Sequence, residues 1–220
     1  MTYTDLVNEV LIRLREDTVS TIGGSRLTVT DDPVVDIVKL AINDAKRTVE
    51  DSHQWNALRY DWSVTTEAGV HTYPLVGARN QAIVESMYDE SGRSIRNVPL
   101  AYIHQKSAGN PANNIPMYWA TNGQDSNGDM SIRFFSTPKD VLNYTVHGFR
   151  KTADLNTDSD RLIVPTSPVI YLAFALASRE RGEAGGAQSN EIFAMASQYL
   201  KDAIGLDASA SELDNNWNVN

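Results

Sequence analysis

Apolar residues recur at helical spacing towards both ends of this chain and at strand spacing in its middle. Leu6, Val7, Val10, Leu11 and Leu14 repeat every three or four positions, which predicts a helix over residues 5–15 with Thr4 as N-cap. Residues 17–30 break the pattern with Gly23-Gly24 and β-branched side chains, and read as a loop with a short extended piece. Asp32 then caps a second helix that has Pro33 at its first position. Val34, Ile37, Val38, Ala41, Ala45 and Val49 mark one face of it. Asp36, Lys39, Asn43, Lys46, Arg47 and Glu50 fall elsewhere, to be solvated or shared with a neighbour.

Beyond Trp55 the period shortens to two. Residues 62–65 and 70–73 flank Glu67-Ala68-Gly69 as a predicted hairpin, and residues 82–88 and 94–97 flank Glu90-Ser91-Gly92 as a second. Pro99 opens a short helix over residues 99–106. Three more strands are predicted at 117–121, 130–135 and 143–149, with Asn127-Gly128 as a tight reversal between the first two. The closing helices cover residues 168–181, capped by Ser167 with Pro168 at the first position, and 189–204. Gly182, Gly185 and Gly186 let the chain turn back into an antiparallel pair. Residues 205–220 hold Asp207, Glu212 and Asp214 but no Lys or Arg, and read as a flexible acidic tail.

The fold class expected is therefore α+β, an α-helical bundle of N- and C-terminal helix pairs with an inserted small antiparallel β domain. Residues 1–55 begin the bundle, 56–165 form the insertion, 166–204 complete the bundle and 205–220 are the tail. The formal charge of −9 argues against a face that wraps nucleic-acid phosphates, which takes clustered Lys and Arg. With no cysteine, disulfides and thiolate metal sites are excluded. No secretion signal is expected at the N-terminus, and the longest apolar run, residues 169–177, is far shorter than the roughly 20 residues that span a bilayer.

Candidate chemistry is sparse. His53, His71, His104 and His147 fall in four different predicted elements and none in an H-E-x-x-H pattern. No phosphate loop or nucleophile elbow is present. Asp125, Asn127 and Asp129, and likewise Asp154, Asn156 and Asp158, alternate as calcium ligands do. The glycine and glutamate an EF-hand needs at its sixth and twelfth positions are replaced by Met130 and Ser136 in one, and by Ser159 and Pro165 in the other. The expectation is a chain with no catalytic residue, cofactor or metal. Trp62, Tyr73, Tyr88, Tyr118, Trp119, Phe134, Phe135, Tyr144 and Phe149 concentrate in the β region, as core or, alternatively, as a carbohydrate-binding or depolymerase platform that includes Trp119.

The order of elements carries a resemblance. A helix ends in Asp51-Ser52-His53-Gln54-Trp55-Asn56. Gly109-Asn110-Pro111 precedes Met117-Tyr118-Trp119, a strand closes in Ser136-Thr137-Pro138, and residues 160–164 lead through Pro165 into the last helices. This layout resembles the head-to-tail adaptor (connector) proteins of short-tailed phages, the tail tubular protein A-like family. The resemblance implies a non-enzymatic virion protein assembled in the host cytoplasm. It implies a ring of copies of the chain, commonly twelve, between the portal protein and the tail nozzle protein, with genomic DNA crossing the channel without specific binding and no membrane involved. A nozzle or other connector component is the nearest alternative. Within that reading the acidic tail orders on docking to the portal, with Leu206, Leu213 and Trp217 as anchors.

Overall fold

The computed structural model describes residues 1–22, 32–78, 82–109, 114–182 and 187–215. Along the chain run α1 (Tyr3–Arg13), α2 (Pro33–Ser52), a 3-10 turn (Asn56–Leu58), β1 (Arg59–Thr65), β2 (Thr72–Pro74), β3 (Ile83–Asp89) and β4 (Arg96–Asn97). After them come α3 (Leu100–Gly109), β5 (Tyr118–Gln124), β6 (Met130–Phe135), β7 (Asn143–Phe149), α4 (Thr166–Glu180) and α5 (Ala187–Asn215). The chain is α+β and divides into a helical unit, Met1–Ala57 with Thr152–Asn220, and a β unit, Leu58–Lys151.

In the helical unit α4 packs against both α2 and α5, while α1 lies on α2 and α4. Buried Ala173, Ala175 and Ala177 let the neighbours of α4 approach closely. Helix α1 starts two residues earlier than its apolar period predicts, because Thr2 rather than Thr4 is the cap. The Thr2 hydroxyl accepts from Asp5 N at 3.2 Å and the Asp5 carboxylate accepts from Thr2 N at 2.9 Å, a reciprocal capping box. Asp32 caps α2 through Val34 N, with Pro33 at the first position as expected. Helix α4 departs from expectation: it opens at Thr166, Pro165 stands at the cap position, and no side chain caps it. Pro168 fits inside the first turn because the N–H it lacks has no intrahelical partner there.

The polar positions of α2 explain where the helical unit ends. Lys39, Asn43, Lys46 and Glu50 are buried, and Asn43, Lys46 and Glu50 bond the chain returning from the β unit. Lys46 Nζ lies 3.1 Å from Glu50 Oε1 and donates to Thr152 O at 3.0 Å, and the Thr152 hydroxyl donates to Glu50. Asn43 accepts from Leu155 N at 2.8 Å and donates to Leu155 O at 3.1 Å. Arg47 grips Asp154 through Nε and a terminal nitrogen, at 3.1 and 2.6 Å. These bonds fix residues 152–155 to α2, and Asp160 O accepts from Tyr3 N of α1 at 2.8 Å. The segment from Thr152 to Pro165, assigned from sequence to the insertion, therefore belongs with the helices.

The β unit holds two sheets, β1-β7-β3 and β2-β6-β5-β4. Trp62, Val64, Met87, Tyr144 and Val146 from the first, and Tyr73, Trp119, Ile132 and Phe134 from the second, share one apolar core. Two sequence expectations fail here. β1 and β2 are not a hairpin: β1 pairs with β7 and β2 with β6, so the chain changes sheet between them. The Tyr73 hydroxyl holds that corner, accepting from Glu67 N at 2.8 Å and donating to Val70 O at 2.9 Å. Nor is the unit wholly antiparallel. β4 runs parallel to β5 because α3 carries the chain back between them, the crossover that parallel neighbours require. The Asn127-Gly128 reversal is present, with Gly128 at φ 80°. At Gly148 any Cβ would stand 2.1 Å from Ile83 O, so only glycine lets β3 approach β7 there.

Candidate assembly interface

Three of the four histidines pair with other side chains. His53 Nε2 lies 3.1 Å from Asp207 Oδ2, His147 Nδ1 bonds Asp61, and His104 Nε2 meets Arg133 at 3.2 Å. Burial, and then the nearby Arg133 charge, hold His71 below its ordinary value. Both calcium-like loops are turns closed by their own carboxylates. Asp125 accepts from Asn127 N and Asp129 N at 2.8 and 2.9 Å. In the other loop Asp160 takes the Thr157 hydroxyl, Thr157 N and Asn156 N, and these bonds depress its pKa, the Thr157 hydroxyl first. Among the described residues no three His, Cys, Asp or Glu converge as a metal site.

A depression of about 610 Å³ lies on the β1-β7-β3 sheet, lined by Arg59, Asp61, Glu85, Tyr88, His147 and Gly148 among others. Its Asp61 and His147 already satisfy each other. The Trp119 of the carbohydrate alternative is 1% exposed and donates its indole N–H to Ile95 O, so it forms core rather than a stacking surface.

Exposed apolar residues of the helical unit include Ile12 of α1, Leu40 of α2 and a set on α5. Met195, Tyr199 and Leu206 are 46%, 36% and 74% exposed. Their i, i+4, i+11 spacing keeps them within one narrow arc of the helix. Tyr199 stacks on Tyr171 of α4 with ring centres 4.3 Å apart, and Arg13 of α1 sits over Tyr171. Of the three anchors predicted from sequence, Leu206 is on this face, Leu213 lies in the last turns of the helix, and Trp217 falls outside the described residues. The stretch predicted as tail is helical through Asn215. Leu206, Ala208, Ala210 and Leu213 are strong helix formers that outweigh the single Gly205. Asp207 also ties this end to the residues after α2, accepting from Asn56 N at 3.1 Å while its carbonyl accepts from Asn56 Nδ2 at 3.2 Å. Met195 and Tyr199 were missed by reading residues 189–204 as a packed helix. Their spacing relative to Leu206 was the available signal.

The net charge is unevenly divided. Met1–Ala57 and Thr152–Asn220 carry 10 Lys or Arg against 20 Asp or Glu, whereas Leu58–Lys151 carries 9 against 8. No helix among the described residues is long and apolar enough to cross a membrane.

The structure is thus a two-unit α+β chain with exposed apolar residues on one arc of α5. The sequence matches the SU10 adaptor protein family over residues 1–218, and the chain belongs to that family. It is a phage head-to-tail adaptor protein and a virion component, and it interacts with other head and tail proteins. No curated protein matches it.

Proposed function

We propose that this adaptor assembles as a ring, commonly of twelve copies in adaptors of the kind it resembles, between the portal and the tail nozzle. The observation that carries the proposal is the open face of α5, where Met195, Tyr199 and Leu206 stand exposed on the acidic helical unit. A closed ring needs unlike surfaces that meet head to tail, and long helices with one packed and one open face supply them. Leu206, Leu213 and Trp217 are the portal-docking anchors in this reading, α5 seating its distal end on the portal. The excess of carboxylates in the helical unit favours passage of DNA over adhesion, since like charges repel. Assembly takes place in the host cytoplasm, and the protein catalyses no reaction.

Co-sedimentation of the purified chain with portal rings of the same virus, with imaging of the product, tests this reading. A stoichiometric ring stacked on the portal is expected, and deletion of residues 206–220 is expected to weaken portal binding at least tenfold, about 1.4 kcal/mol. Absence of binding at micromolar concentration rules out direct portal docking. Unchanged affinity of the deletion variant removes the anchor assignment alone.

A further inference from the structure

One sheet edge of the β unit is long, regular and unoccupied. β1 pairs with β7 without a break from Arg59↔Phe149 to Thr65↔Asn143. Beyond its two ends the same ladder continues, Arg150 N donating to Leu58 O at 2.9 Å and Thr66 N to Leu142 O at 2.8 Å. Antiparallel pairs alternate in whether they exchange hydrogen bonds, so the even-numbered residues of β1 bond to β7. Arg59, Asp61, Ser63 and Thr65 therefore turn their N–H and C=O groups away from the sheet. All four residues are exposed, and among the described residues none of these backbone groups has a backbone partner.

The other three edges among the described residues are short, bulged or partly covered. β3 is covered by its own return segment, Met87 O accepting from Ile95 N at 2.8 Å and Asp89 N donating to Arg93 O at 3.0 Å, and it is bulged between Val84 and Ser86. β2 has three residues and ends in Pro74, and β4 has two. Short strands, prolines and bulges disarm an edge, and β1 has none of these over about 20 Å; it does carry the charges of Arg59 and Asp61, the latter paired with His147.

We propose that β1 is an acceptor edge for an extended segment of a different virion protein, which joins the β1-β7-β3 sheet as its fourth strand. A second copy of this chain fits poorly. Among the described residues no other edge matches β1 in length and regularity, so copies would meet as β1 against β1, a twofold contact that closes on a dimer. At full overlap that contact sets Arg59 opposite Thr65 and Asp61 opposite Ser63, leaving both charges unmatched. The fitting segment alternates in character. One set of its side chains is apolar, to pack beside Tyr60, which is 38% exposed with the Arg150 guanidinium over its ring. The other set is polar and places a carboxylate by Arg59, whose guanidinium rests over the Phe149 ring and forms no ion pair among the described residues.

The absence of cysteine gives a clean test. Ser63→Cys places one thiol at the centre of the edge, to be labelled with a benzophenone maleimide, carried into virions and photolysed. An adduct with an extended segment of another virion protein is the expected result. An adduct only between copies of this chain overturns the proposal, as does no adduct at all. On the unsubstituted protein, amide exchange of Asp61, Ser63 and Thr65 is expected to slow at least tenfold from the free chain to the virion, and equal rates overturn the proposal without relying on any variant. The proposal rests on the chain being a virion component but not on portal docking. Co-sedimentation with the portal reports on the helical unit and the cross-link on β1, so the two readings fail separately.

Discussion

Asn43 has no solvent exposure, and its side-chain amide both accepts from and donates to the backbone of Leu155, 112 residues away. Its Nδ2 also reaches the Tyr3 hydroxyl at 3.3 Å, and that hydroxyl donates to Lys39 O at 3.2 Å. One amide thus joins α1, α2 and the return from the β unit. Truncation leaves Leu155 N and O buried without their partner, and a buried unsatisfied backbone group costs about 1–3 kcal/mol. Asn43→Ala is expected to lower the stability of the helical unit by about 2–4 kcal/mol in urea titrations. A loss below about 0.5 kcal/mol would show that the return segment is held elsewhere.

At the scale of elements, α5 outruns its partner, 29 residues against 15 in α4. The turns beyond Gly205 have lost α4 as a neighbour, and Asp207 holds them through Asn56 and His53. Asp207→Ala removes a charged acceptor of about 1.5–3 kcal/mol, so amides beyond Gly205 are expected to exchange at least tenfold faster while those of α2 and α4 keep their rates. Equal rates throughout would show that α5 holds this end by itself. Elements set by local chemistry were legible in the sequence: Asp32-Pro33 opens α2, Asn127-Gly128 turns β5 into β6, and β7 covers the residues its alternation predicts. What sequence did not reveal depends on distant partners. Nothing local to residues 62–73 shows that the chain changes sheet, because the Tyr73 bonds exist only once the corner has formed. The parallel β4–β5 pair is hidden for the same reason, as two residues carry no period. The helical end of α5 was misread because a lack of Lys and Arg is a statement about charge, not about backbone preference. Of the proposed docking anchors, Leu206 was legible as apolar. Its exposure was not.

At the scale of the whole molecule, carboxylates that lie below their ordinary value of 3.8 include Asp5 and Asp160 in the helical unit and Asp89 in the β unit. Backbone bonding by Thr2 is the leading cause for Asp5, the Thr157 hydroxyl for Asp160 and the Ser91 hydroxyl for Asp89. A depressed folded pKa means that the unfolded chain takes up the proton first as pH falls. Each group's contribution is therefore complete above 3.8 and lost as pH drops through the lower, folded value. Protonation also relieves the self-repulsion of the acidic helical unit, which acts in the opposite sense. At about 0.15 M salt that repulsion is screened beyond about 8 Å, whereas direct hydrogen bonds are not, so the bonds decide the sign. The destabilisation by Asp160→Asn, read from melting temperatures, is expected to be constant above about pH 5 and to shrink below 3.8. A difference that persists unchanged to pH 2 would assign the effect to packing instead.

The β unit begins at Leu58 and ends at Lys151, and Arg150 N donates to Leu58 O at 2.9 Å. Paired residues of this kind hold their Cα atoms about 5.5 Å apart, so the whole unit enters and leaves through a single narrow gateway. Such a gateway makes the unit a cassette. A lineage can enlarge it, trade it or lose it while the helical framework, whose ends at Ala57 and Thr152 need only a short bridge, keeps its own contacts. Adaptors can then change what the insert meets by exchanging it, with the helices inherited intact.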